Sequence, residues 1–400
     1  MSNATQNRPS DAAQSSGFMT RILRRTFSEA GAKIGLFWVS VLVIMAVFAP
    51  FLANTVPLLA SENGAVSAPF LRYFTVEDVI FLSVFVIVIV IWLSPLSRTF
   101  SRATTSFIIL TTIATVLANT FVKPPQLIIY DDFRTQQAQG KYDWSINAPV
   151  AFSARDYMRD VSEAPLQEPL AKSQFKHVMG TEENGADVFS RMIHASRVAL
   201  SIGFIATGIA LVIGVILGGL MGYFSGIVDM LGMRLVEIFE SVPTLFLLLT
   251  FVAFFGRNIY LIMVIIGLTS WSGYARYARA EFLKLRKQDY VQAAIASGLP
   301  LRSILFRHML PNGVAPLLVS VSFGVASAIL AEATLSFLGL GPVDAPSWGQ
   351  MLNQSIRAST FNWWMAVFPG GAIFMTVFAY NLIGEALRDA LDPKSAKGDD

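Results

Sequence analysis

The sequence predicts an all-α fold, a polytopic membrane bundle of about eight transmembrane helices. Three observations carry that prediction. Of 400 residues, 54% are hydrophobic and 14% charged, and mean hydropathy is +0.55. Soluble domains carry about 25% charged residues, so too little polar surface remains to wrap a water-soluble globule of this length. The apolar residues also fall in runs of about the 20 residues that one bilayer-crossing helix needs. Finally, Lys and Arg are unevenly shared among the segments between those runs, as topology rules require.

The candidate spans are 34–53, 78–94, 106–122, 198–223, 236–256, 259–275, 314–340 and 363–386. The third is diluted by Thr111, Thr112, Thr115, Asn119 and Thr120. Residues 1–33 form a polar tail ending in Arg21, Arg24, Arg25 and Lys33. The apolar run that follows is too long and too late for a cleaved leader, so it reads as a first membrane helix with a cytoplasmic N-terminus. With that orientation, 18 of the 30 Lys and Arg fall inside. Nine of the rest lie in 123–197, a segment long enough to translocate regardless of charge. Eight spans put the C-terminus, with Arg388, Lys394 and Lys397, inside as well. The expected divisions are a cytoplasmic tail (1–33), three N-terminal helices (34–122), an extracytoplasmic region (123–196), a membrane core (197–387) and a second cytoplasmic tail (388–400). Trp363 and Trp364 read as an aromatic belt at the outer interface.

Composition also excludes chemistry. A net charge of +3 with aromatics inside apolar runs does not describe a nucleic-acid binder. With no cysteine there is no disulfide, no Cys-based zinc site and no Cys nucleophile. The three histidines (His177, His194 and His308) lack metal-ligand spacing, and the first two read as surface residues. No G-x-x-x-x-G-K-[ST] occurs, so the chain has no P-loop for ATP. No catalytic activity and no cofactor are expected.

The most informative segment is 276–313, the longest internal loop, with 7 Lys+Arg. Its pattern predicts a helix over 277–297, a stop at Gly298 and Pro300, and a second short helix over 301–310 closed by Pro311-Asn312. Small residues gather at the bend, where another protein's surface can approach the backbone. Elsewhere, Gly214, Gly218, Gly222 and Gly226 form overlapping G-x-x-x-G, a close-packing face within the chain or between subunits. Glu237 and Glu240 lie three apart before Pro243, either reaching the interface or facing a pathway. Pro243, Pro369, Gly370 and Gly371 allow kinks, in a gate or in a static bundle. Glu332 sits deep in a span. It and Ser336 are the pathway candidates, with a buried structural Glu the equal alternative.

Gln292-Ala293-Ala294, then Gly298, His308 and Leu310-Pro311, resembles the cytoplasmic coupling motif of ABC importer permeases, with Gln292 in place of that motif's Glu. H-x-L-P-N at 308–312 is similar to the peptide/nickel branch. Three more stretches resemble the same family in the same order. They are Gly180–Arg191 (with Glu182 for the usual Asp), Glu332–Gly341 followed by Pro346–Gly349, and Leu387–Pro393. Asn184–Val188 and Gly384–Asp389 are worded like the group that takes up oligopeptides and microcin-C-like peptides; nickel and dipeptides stay open.

The resemblance implies a type I ABC importer permease, of the second-permease type, in a bacterial inner membrane. Its implied partners are a second permease subunit, two ABC ATPases, an extracytoplasmic solute-binding protein and a peptide substrate. It also implies ATPase docking at Gln292, Ala293, Ala294, Gly298, Leu299 and Arg302. Helices 78–94 and 106–122 lie outside the resemblance and read as a paired insertion that leaves topology unchanged. The rival readings are a secondary transporter working alone, though no inverted repeat of the kind such proteins carry is visible, and a membrane scaffold.

Overall fold

A computed structural model describes residues 25–94, 100–125, 127–158, 165–172, 175–342 and 345–391. The terminal tails with Arg21, Arg24, Lys394 and Lys397, and the end of the Leu387–Pro393 motif, lie outside these residues. The fold is the expected helical membrane bundle. Among the described residues seven helices are long and apolar enough to cross a bilayer, or eight if one bent pair counts as a single span.

In chain order the elements are α1 (Ala30–Val47), α2 (Ala49–Leu52), β1 (Leu59–Glu62), β2 (Ala65–Ser67), α3 (Val76–Leu93), α4 (Phe100–Phe121), α5 (Tyr130–Ala138) and β3 (Trp144–Ile146). Then come α6 (Val188–Phe224), α7 (Gly226–Ser241), α8 (Thr244–Phe255), α9 (Ile259–Arg286), α10 (Asp289–Ala296), α11 (Leu301–Ser303), a π turn (Ile304–Met309), α12 (Leu310–Phe337), α13 (Trp348–Arg357) and α14 (Trp363–Leu391). The chain divides into two compact units. One contains residues up to 40, 201–332 and 373 onward; the other contains 41–200 and 333–372.

The second unit holds a polar lobe. Asn63 and Gly64, at φ 52° and 79°, make the two-residue turn of a β1–β2 hairpin. β3 pairs antiparallel on the other side of β1, giving the order β2-β1-β3. Beside the sheet, Phe152, Met158, Val150 and Ile193 pack with Ala49 and Ala53. Asp156, itself buried, accepts a hydrogen bond from Thr55 Oγ1 (2.7 Å) and pairs with Arg134 at 2.5 Å.

The histidines of this unit differ from expectation. His177 is buried, its Nδ1 is 2.8 Å from Asp187 Oδ2, and its ring lies against Phe152. His194 is half-buried on α6. Asp187 Oδ1 meanwhile accepts from Ser190 N (2.6 Å) at the start of α6. The short-range pattern held no sign that the lobe would fold over these rings. Trp364 is not part of an interfacial belt: it is buried, and its Nε1 donates to Thr181 O at 3.1 Å. Trp363 beside it is exposed.

The extra helices α3 and α4 pack on each other, and their other faces are left largely exposed. α3 begins in a capping box. Thr75 Oγ1 accepts from Asp78 N, and Asp78 Oδ2 accepts from Thr75 N at 2.7 Å. The second oxygen of Asp78 pairs at 2.5 Å with Arg197 of α6, both side chains being buried. Arg197 Nε donates to Ala46 O (2.6 Å), and its guanidinium lies over Phe81. One arginine therefore ties α1, α3 and α6 together.

The predicted span 236–256 is not one helix. α7 and α8 meet at a bend of 79°. Pro243 has no N–H and its ring collides with the carbonyl four residues back. Val242, just before it, is extended (φ −96°, ψ 123°), as the residue preceding proline prefers. By contrast, the G-x-x-x-G face behaves as a packing surface within the chain. A Cβ at Gly214, Gly218 or Gly222 would collide with Tyr274, Ala275 or Arg279 of α9. Gly226 instead starts α7 at φ 60° with open space around it. Gly218→Ile should separate α6 from α9 and cost about 1–3 kcal/mol or more through overpacking. Thermal unfolding of the detergent-solubilised protein, compared with wild type, checks this.

Candidate functional site: a helical lever and its turn

The 276–313 segment differs from the predicted hairpin at both ends. α9 does not stop at the end of its span but runs on to Arg286, so the predicted helix 277–297 is split at Lys287–Gln288. Gln288 is extended (ψ 143°), and α10 starts after it. At the other end Pro311-Asn312 does not close a helix. α11 passes through the π turn directly into α12. Pro311 follows the π turn, whose wider ring gives its pyrrolidine room against the turn before it, so the helical run continues through the proline. His308 Nδ1 lies 2.9 Å from Ser303 O, and Asn312 Nδ2 donates to His308 O at 2.7 Å, so side chains supply bonds that the wider turn disrupts. What remains between two long helices is one short helix and one turn.

That turn forms as the glycine predicts. Gly298 has φ 70°, its N–H donates to Ile295 O, and Leu299 N–H donates to Ala294 O. This pair of bonds is a Schellman cap, which places the residue after the helix in the left-handed region that glycine enters freely. No atom lies within 4 Å of a Cβ built there.

Beneath the turn is a compact apolar core. Val291 and Ala294 of α10 pack with Phe282 and Leu285 of α9 and with Ile304 and Met309 of the π turn. Val291 and Met309 are fully buried. α10 is therefore packed against both α9 and the π turn that leads into α12. Met309→Ala would leave a cavity costing about 2–5 kcal/mol. It should loosen α10 without altering the exposed surface, and hydrogen exchange of 289–303 should rise.

The docking candidates separate into two roles. Gln292, Ala293, Gly298, Leu299 and Arg302 are exposed. Ala294 faces the inner core instead, so its side chain packs beneath the turn. Gln292 Nε2 donates to Arg286 O at 2.7 Å, closing the α9–α10 joint. A carboxylate at this position has no proton to donate to that carbonyl, so the Gln that departs from the motif has a local role of its own. Exposed Ile295, Leu301 and Phe306 add apolar surface around the turn.

The two pathway candidates are both buried. A Cβ at Gly341 or Gly349 would collide with Ser336, which is thus a tight packing point. Neither Glu332 nor Ser336 lines the cavity of about 630 Å³ between α6, α9, α12 and α14. That cavity has mostly apolar walls with hydroxyls from Thr207, Ser270, Tyr274 and Ser320, and its size is in the range of small-molecule sites. Tyr274 Oη donates to Ser320 O at 3.4 Å across it. Glu237 and Glu240 are accounted for by ion pairs. Glu237 pairs with Arg234 at 2.5 Å, and Glu240 pairs with Arg276 of α9. Asp229, near the start of α7, holds Arg279 through both carboxylate oxygens.

Residues 214–397 match the family described as the binding-protein-dependent transport system inner membrane component. The oligopeptide transport system permease protein OppC of Haemophilus influenzae is 40% identical over 219 residues, covering 54% of this chain and 70% of that relative. The chain belongs to this permease family. The dipeptide transport system permease protein DppC of Alkalihalophilus pseudofirmus is 36% identical over 251 residues, covering 62% of this chain and 81% of the relative. The inner membrane ABC transporter permease protein YejE of Escherichia coli K12 is 34% identical over 269 residues, covering 67% and 77%. The family match takes in α7 to α14 and the whole lever, and begins beyond the α3–α4 pair.

Proposed function

We propose that this chain is the membrane-spanning subunit of an ATP-driven importer of oligopeptides or dipeptides, and that α10 with its Gly298 turn is the part that receives the stroke of the partner ATPases. The observation that carries the reading is the mechanical one. An exposed turn is backed by a fully packed core shared between α9 and the helix that becomes α12. Relatives named for oligopeptide and dipeptide transport support the peptide substrate. Energy then comes from outside the chain, because no phosphate-binding loop exists in it.

In this mechanism an external binding protein delivers the peptide to a pair of permeases, the second of which is a separate subunit or a copy. Two ATPases dock on the exposed residues Gln292, Ala293, Gly298, Leu299 and Arg302, while Ala294 anchors the docked helix from within. Their closure pushes α10, and α9 and α12 move with it. The bundle exchanges outward- and inward-open states, which differ in affinity for both nucleotide and substrate, as energetic coupling requires.

α8, at 12 residues, is about 18 Å long and too short to cross alone. Counted with α7 it completes an eighth crossing, an even number that leaves both ends on one side, and the Lys and Arg bias favours the cytoplasmic side for them and for the lever. Leu299→Cys and Arg302→Cys test the docking surface. Each should crosslink to a co-expressed ATPase subunit through a short bifunctional thiol reagent, whereas a cysteine at exposed Val66 on β2 should not. Crosslinking at Val66 alone would refute the assignment.

A further inference from the structure

The second unit holds a small polar pocket that the lever does not use. Arg155, Tyr157, Arg191 and Gln350 supply its polar wall, with Pro346 beside them. Its volume is about 30 Å³. One water needs roughly 10–15 Å³, so the space takes about two or three water-sized atoms, as many as the heavy atoms of a carboxylate group.

Three separate stretches of chain build this pocket. Arg191 lies in the first turn of α6, where its N–H donates to Asp187 O at 3.2 Å. Gln350 lies in the first turn of α13, where Ser347 Oγ accepts from Gln350 N at 3.1 Å and caps the helix. Arg155 and Tyr157 flank Asp156, whose bonds to Thr55 and Arg134 hold that segment in place.

Two atoms facing this space are buried and unmatched. Arg191 is 2% exposed, and its Nη1 is 3.2 Å from Glu182 Oε1, yet its Nε–H has no acceptor. Gln350 Oε1 is buried without a donor, and a half-turn of the same amide presents its NH2 instead. Leaving a buried donor unmet is costly. Among the described residues no carboxylate lines the pocket. Two guanidinium groups and the first turns of two helices all favour negative charge there. Water would fill the space without answering that field, whereas the fork of an arginine matches the two oxygens of a carboxylate. Arg155 and Tyr157 are exposed, so the pocket is reached from solvent.

We infer that this pocket is a carboxylate-binding site, taking the C-terminal carboxylate of a peptide or an acidic side chain within one. The site goes beyond the importer reading. It stands on its own geometry, and binding by the chain alone needs no ATPase.

The test is saturation-transfer NMR on acetate with the purified full-length chain in detergent, at an ionic strength held constant with chloride. Acetate should bind saturably. Arg155→Gln, at an exposed position, should weaken binding about tenfold or more, as loss of a hydrogen bond to a charged group does. Arg191→Gln also removes a partner of buried Glu182, so Gln350→Leu is the second variant, and it should weaken binding as well. Competition then separates the sources. The competitors are Ala-Ala-Ala with a free carboxyl end, the same peptide amidated, and amidated N-acetyl-Ala-Glu-Ala. Displacement of acetate by the first assigns the C-terminal carboxylate, and displacement by the third assigns the side chain. No saturable acetate signal, or binding unchanged in both variants, would overturn the inference. So would displacement by amidated Ala-Ala-Ala, which carries no carboxylate. Acetate that none of the three displaces would overturn the assignment to peptides.

Discussion

Gly298→Asp is expected to leave membrane insertion and partner assembly intact while lowering substrate-stimulated ATP hydrolysis by about 5- to 150-fold. That range corresponds to a coupling free energy of about 1–3 kcal/mol. The glycine holds φ 70° in an exposed turn with open space around it. A side chain there costs only the strain of the left-handed region, about 1–2 kcal/mol, which does not unfold a bundle of this size. Under the proposed docking role, what changes is the surface offered to the ATPase, where a new carboxylate and its hydration shell stand at the bend. Gly298→Asn separates the two effects, since Asn enters the left-handed region more readily than other residues. If strain alone mattered, Asn would restore most of the stimulation. If the surface matters, Asn remains impaired. Basal hydrolysis by the isolated ATPases is the control, and stimulated rates equal to wild type in the Asp variant would refute the docking role.

Arg197→Ala is expected to have the largest effect on stability. The substitution leaves Asp78 as an uncompensated buried carboxylate and removes the donor to Ala46 O. Breaking a buried pair in this way costs about 3–5 kcal/mol, comparable with the whole stability of many domains. Little full-length protein should accumulate, and limited proteolysis should cut first near the α3–α4 pair. Arg197→Met combined with Asp78→Leu replaces the pair by apolar groups of similar length and should recover much of the loss, because the desolvation cost disappears together with the attraction. A double variant no better than Arg197→Ala would show that the hydrogen bond to Ala46, rather than the ion pair, holds the three helices together.

These two sites differ in how visible they are from sequence. Gly298 was legible because a glycine followed by Pro300, at the end of an amphipathic run, has one common use in a helix end. The spans were legible because bilayer thickness sets their length. The break at Val242–Pro243 is half-visible: the proline permits a kink, but periodicity does not distinguish a kinked span from two helices at 79°. Similarly, the α9 extension to Arg286 was hidden, since charge marks where a helix leaves the membrane and not where it ends. Pro311 reads as a terminator because the π turn that accommodates it leaves no mark in composition. Asp78–Arg197 and His177–Asp187 join residues 119 and 10 positions apart, and such pairings depend on tertiary packing that no local pattern encodes. The Asn63-Gly64 dipeptide signals a hairpin turn, but strands of four and three residues do not stand out within a short polar gap.

The central claim is that this chain transmits work done elsewhere. The most direct measurement is peptide uptake by proteoliposomes containing the purified chain with the proposed partners, a second permease, two ATPases and a binding protein. The same chain reconstituted alone under an ion gradient serves as the comparison. Uptake that requires ATP, the ATPases and an intact Gly298 turn is the predicted result. Peptide accumulation by the chain alone, driven by the ion gradient and indifferent to Gly298→Asp, would contradict it.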